Sequence, residues 1–171
     1  MEQNYNASGL TPIEPQTDTS PLVIVENNVK QLLTQVPGIN YVDEDWGQLD
    51  YYSQNPPVKW PCALIDVSNA AYNNMVRNPA HIPQLRQEAK CMLTVRLADI
   101  KLTNSSTLTP VTQQTAASNI KELAQLIHNT LHGINIIQQA TMLLRHSMQR
   151  QMRDDGIQEY VIAYTFDLNN V

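Results

Sequence analysis

Hydrophobic and polar positions divide the chain into periodic and aperiodic stretches. Residues 1 to 20 are polar, carry Pro12 and Pro15 and show no periodicity. They predict an N-terminal arm, flexible or clasping a partner, ahead of a single domain over 21 to 171. Ser20-Pro21 reads as a helix N-cap followed by proline at the first helical position. Leu22, Val25, Val29, Leu32, Leu33 and Val36 then form one apolar helical stripe, which Pro37-Gly38 ends. Ile39 to Val42 read as a short strand, and residues 43 to 61, with Pro56, Pro57 and Pro61, as a loop. The apolar run CALIDV at 62 to 67 predicts a buried strand. Residues 68 to 88 show no pattern of either kind and are expected to be a second long loop. Cys91, Leu93, Val95 and Leu97 alternate with Met92, Thr94, Arg96 and Ala98, a strand with one buried face.

The polar stretch TNSSTLTP links this strand to a second helix, beginning near Val111 to Thr115, whose apolar face holds Ala116, Ile120, Leu123, Ile127 and Leu131. Gly133 is its stop. Two strands, about 140 to 153 and 157 to 168, are expected to form a hairpin around the DDG turn. In the second, Tyr160, Ile162, Tyr164, Phe166 and Leu168 share one face, with Glu159, Thr165 and Asp167 on the other. The expected class is α+β: a mainly antiparallel sheet of four to five strands, two helices on one face, and long loops. Loops of about twenty residues in so small a domain usually carry function.

Composition narrows the function. Hydrophobic residues make up 42% of the 171 residues and charged residues only 16%, and Asn and Gln fill much of the remainder. Such a weakly charged polar surface suits permanent contact with other subunits, and is also common in some bacterial and viral proteomes. The net charge of -5 and the scattered basic residues exclude an electrostatic footprint for nucleic acid. The N-terminal MEQNYNASGL lacks the basic and apolar regions of a signal peptide, and no window nears the ~18–20 apolar residues of a membrane span. A soluble protein made in a cytoplasm is expected, with Cys62 and Cys91 as buried thiols rather than a disulfide.

Candidate chemistry centres on residues 43 to 61. Asp43, Glu44 and Asp45, with Asp50, offer carboxylates for a hard cation, but only Gly47 partly fits a calcium loop. The other reading is a solvated or partner-facing loop. Trp46, Tyr51, Tyr52 and Trp60 concentrate in the same stretch, where aliphatic residues are too few for a separate core. They predict a protein interface, or else a loop folded back over the open face of its own sheet. His128 and His132 have the i, i+4 spacing of a zinc pair, but Asn129 stands where H-E-x-x-H needs glutamate, and no third ligand is indicated. No nucleophile motif or phosphate loop is found, so no cofactor, metal or catalytic residue is expected. Arg145, His146, Arg150 and Arg153 make the last hairpin locally basic, and Arg150 and Arg153 are candidate partners for a neighbouring subunit's Asp43 to Asp45.

The helix ending VPGINYV, the PCALIDV strand, the alternating CMLTVRLADI, the helix ending LIHNTLHGI and the closing hairpin LLRHSMQRQMRDDGIQEYVIAYTFDL together resemble the tail terminator, or tail completion, proteins of tailed bacteriophages. The resemblance spans about residues 22 to 168 and rests on the order and spacing of elements. It implies a non-enzymatic virion protein at the head–tail junction. Such a protein forms a homo-oligomeric ring, commonly a hexamer, that caps the tail tube and meets the head connector, while DNA passes through its lumen without specific binding and no membrane is involved. The arm and the long 68 to 88 segment exceed a minimal terminator. They leave open a different neck or connector ring of a short-tailed phage, with a dodecamer as its stoichiometry, and a carboxylate-dependent metal hydrolase stands as the alternative from another class.

Overall fold

The computed structural model describes residues 20–51, 55–74, 87–100, 106, 108 and 110–169, without the side chains of 111–118. The chain runs α1 (Pro21–Leu33), β1 (Tyr41–Glu44), α2 (Gln48–Tyr51), β2 (Cys62–Asn74), β3 (Gln87–Ile100), α3 (Val111–Leu131), β4 (Leu144–Gln151) and β5 (Ile157–Asn169). The strands form one sheet in the order β1-β2-β3-β5-β4, parallel between β1 and β2 and antiparallel elsewhere. The protein is α+β, as the periodicities predict.

Both long helices lie on one face. Proline at N1 starts α1, where the Ser20 carbonyl accepts the Ile24 N–H at 3.2 Å; the Ser20 hydroxyl makes no capping bond. Its stripe of Val25, Val29 and Leu33 is buried with Ile120, Leu123, Ile127 and Leu131 of α3. Beneath them, Ala63 and Ile65 of β2, Leu93, Val95 and Leu97 of β3, and Ile162, Tyr164, Phe166 and Leu168 of β5 complete the core, because partners in the ladder share a face. Gly38 ends the α1 region at φ +92°, and a Cβ there would lie 3.0 Å from Leu123 Cδ2, so glycine serves both the turn and the close approach of α3.

Four expectations need correction. The short strand sits two residues later than expected, so Asp43 and Glu44 lie in β1 rather than in a loop. The stretch expected to be one loop from 43 to 61 also contains α2. Between 68 and 88, β2 continues to Asn74 and β3 already begins at Gln87; residues 75–86 lie outside the described ones. The pattern is missing there because β1 flanks β2 only from Cys62 to Ile65. Beyond the bulge at Val67/Asn69, the distal part of β2 is largely exposed and has little apolar surface to bury. Finally, β4 starts at Leu144, not near 140; the residues before it make only isolated bridges, Asn135 with Met142 and Ala140 with Leu168.

Candidate interaction site

The face of the sheet away from the two long helices holds a smaller apolar cluster, Leu49, Cys62, Leu64, Ala98 and Ile157, flanked by half-buried Tyr41, Val58 and Trp60. The short helix α2 lies on it. Gln48 fixes the approach from β1: fully buried, it donates to the Glu44 carbonyl at 2.8 Å and accepts the Trp46 N–H at 2.9 Å. Gly47, just before it, has φ +90°, with the Tyr51 ring packed where a Cβ would stand.

Two arginines clamp this helix to the sheet. Arg96 of β3 donates from Nε to Glu159 Oε1 at 2.7 Å and from Nη1 to Asp45 Oδ2 at 3.1 Å. It also grips both oxygens of Asp50, at 2.9 and 3.2 Å. Arg153, in the turn after β4, reaches Asp50 Oδ1 and Glu159 Oε2 at 2.9 Å each, the Leu49 carbonyl at 2.7 Å and Asp155 Oδ2 at 2.6 Å. Glu159 is 1% exposed and gives one oxygen to each guanidinium. The hydrogen bond from Arg96 holds the Asp50 carboxyl below its ordinary range, and the one from Arg153 does the same for Asp155. Burial alone would loosen the Arg96 proton; the hydrogen bonds to Glu159 and Asp50 outweigh it and keep the charge firmly in place. A cavity of ≈ 360 Å³ opens beside the lock, between Asp50, Arg96 and Met152.

The predicted residues therefore separate. Trp60 packs against the small cluster, whereas Trp46 is 49% and Tyr51 81% exposed; Tyr52 lies outside the described residues. Asp45 is taken by Arg96. Asp43 accepts the Tyr41 hydroxyl at 2.7 Å, a bond that pushes the tyrosine up to about 12. Among the described residues Glu44 has one ion pair, with partly buried Lys30 at 3.8 Å. Arg153 has partners in its own chain, while Arg150 stands exposed on β4 with no ion pair among the described residues. Asp66 lies near Asp45 and Glu44, and burial, then those two charges, push its carboxyl up.

Sequence reasoning missed Arg96 and Glu159 as a pair. Each falls on the face read as wet, and the one available signal is a charge set among apolar and small residues in each strand. His128 and His132 do meet, with ring centroids 4.6 Å apart, but His132 Nδ1 accepts the Arg145 N–H at 3.1 Å. Among the described residues no group of three or more His, Cys, Asp or Glu is placed to hold a metal. Cys62 and Cys91 are buried free thiols. No helix among the described residues is long and apolar enough to cross a membrane.

No family model and no curated protein sequence matches the chain. Among solved structures, it is similar to a chain in the virion of a native gene transfer agent (GTA) particle. The two are 7% identical with a TM-score of 0.48, over 87% of this chain and 94% of that one. With so little shared sequence and a score below 0.5, this is a similarity from which nothing further follows.

Proposed function

We propose that the chain is a structural component of a phage-like virion, forming a ring at the head–tail junction that caps the tail tube and joins it to the head connector. The observation that carries this reading is a five-stranded sheet whose end strands, β1 and β4, each pair with a neighbour on one side only among the described residues. Most of the charges on its face away from the two long helices are meanwhile bound to one another. An open sheet with exposed aromatics and methionines suits assembly with other subunits. The order of elements resembles the tail terminators, and a net charge of -5 repeated around a channel would let DNA slide without sticking.

The hydrolase alternative needs Asp43, Asp45 and Asp50 around one cation. Asp45 and Asp50 instead hold guanidinium groups, and Asp43 holds the Tyr41 hydroxyl.

Native mass spectrometry of the full chain at moderate salt, followed by electron microscopy with purified tail tubes, tests the proposal. A single closed oligomer that seats on tube ends supports it, and the subunit count separates six from twelve. A strict monomer that ignores tube ends would sink it.

A further inference from the structure

Among the described residues β4 is the terminal strand of the sheet and pairs with β5 alone, so beyond Arg145, whose N–H is taken by His132, the other side of its backbone has no strand partner there. Seven of its eight residues are exposed. Leu144 and Met148 on the strand, with Met142 and Met152 beside it, present large apolar side chains to solvent. Proteins protect such an edge against indiscriminate pairing with proline, charged side chains, bulges or a short length, and of these charge still admits a partner of opposite sign. β4 has no proline, and its single irregularity lies between Arg145 and Ser147.

The charge on this edge is one-sided. Leu144–Gln151 carries Arg145 and Arg150, with His146, and no carboxylate, and neither arginine has an ion pair among the described residues. Pairing two β4 strands about a two-fold axis would bring like charges together, which opposes a symmetric dimer through this edge. The complement lies at the other end of the same sheet. Among the described residues β1 pairs only with β2; it carries Asp43 and Glu44, and the one ion pair of Glu44 there is a 3.8 Å contact with Lys30.

From this we infer that copies of the chain join head to tail, with the basic β4 edge of one copy docking on the acidic β1 edge of the next. The two surfaces differ and sit at opposite ends of one sheet, so the contact is heterologous and repeats until the rotation closes a ring. The exposed Leu144 and methionine side chains are covered at each joint. This inference rests on the ring reading above and names the surfaces that build the ring.

The test uses two full-length variants, Arg145→Glu with Arg150→Glu, and Asp43→Lys with Glu44→Lys, each checked by circular dichroism and thermal unfolding. Alone, each presents like charges at every joint, and the concentration needed to form rings rises on the order of tenfold or more. Mixed in equal amounts, the acidic β4 of the first meets the basic β1 of the second, and the basic β4 of the second meets the acidic β1 of the first. Alternating rings of even subunit number then return in native mass spectrometry. If wild type forms rings and either variant alone does so equally well, the edge assignment is overturned while the ring reading stands. The edge assignment also falls if two folded variants fail to form rings when mixed, or if β4 reversal removes only binding to tail tubes. A wild type that stays monomeric at every concentration overturns both.

Discussion

Arg96 and Glu159 sit on neighbouring antiparallel strands and share a 2.7 Å hydrogen bond, with Glu159 almost wholly removed from water. Glu159 also meets Arg153, so one buried carboxylate links β3, β5 and the turn after β4, while Asp50 of α2 closes the cluster from above. Removing Glu159 leaves two largely buried guanidinium groups each short of a partner. Glu159→Ala is expected to cost about 3 kcal/mol, since breaking a buried pair is far more costly than its formation is favourable. Urea unfolding checks this; a loss below about 1 kcal/mol would mean that Asp45, Asp50 and Asp155 alone satisfy both arginines.

Acid should release the same lock. The Asp50 and Asp155 carboxyls titrate below their ordinary value of 3.8 because Arg96 and Arg153 hold the charged forms. Their stabilisation is therefore complete above that value and is lost as pH falls through the lower, folded-state values. Thermal unfolding followed from pH 6 to pH 2 should show a steep loss of stability at the acid end. Asp50→Asn should be less stable at neutral pH and lose less on acidification. Parallel curves for the two proteins would exclude the linkage.

Asp66 works with the opposite sign. Its carboxyl is pushed up by burial and by the charges of Asp45 and Glu44, so ionised Asp66 opposes folding at neutral pH, an effect that vanishes once it protonates. Asp66→Asn is expected to unfold at a higher temperature than wild type at pH 7 and to match it at pH 3. A lower midpoint at pH 7 would show that the carboxylate has a favourable role.

The parts legible in the sequence are those that bury one face. β3 and β5 alternate because their inner residues meet α1 and α3, and both helices carry a stripe for the same reason. Past Ile65, β2 has neither β1 beside it nor much apolar surface to bury, so NAAYNN leaves no pattern although it is strand. The four residues of α2 are too short for helical periodicity. Arg96 and Glu159 are 63 residues apart, and only the register of β3 on β5 brings them together. The acidic and aromatic content of 43 to 61 is visible in the sequence, but which of its residues turn inward depends on that same sheet surface.

Tyr164 offers a test inside the main core. Its ring is fully buried, its hydroxyl has no hydrogen-bond partner among the described residues, and burial pushes its proton loss up to about 12, with only the Arg145 charge opposing. An unsatisfied buried hydroxyl costs about 1–3 kcal/mol. Tyr164→Phe keeps the ring and removes that cost, so its urea midpoint should rise; a fall would reveal a partner for the hydroxyl in solution.

The aromatics of residues 43 to 61 should divide by exposure. Trp60 packs on the small cluster beneath α2, so Trp60→Ala opens a void and is expected to destabilise the monomer by about 2–3 kcal/mol, below the full-burial cost because the ring is only half-buried. Trp46 and Tyr51 project from the start and end of the α2 turn and leave much of their surface in water. Trp46→Ala with Tyr51→Ala should therefore lower the unfolding midpoint less than Trp60→Ala does, yet weaken assembly or tube binding, since exposed aromatics of this kind are where interface energy concentrates. Unfolding and native mass spectrometry on the same samples separate the two effects. If the double variant assembles as well as wild type, the exposed aromatics are outside the interface. If it also loses stability comparable to Trp60→Ala, they belong to the cover over the sheet.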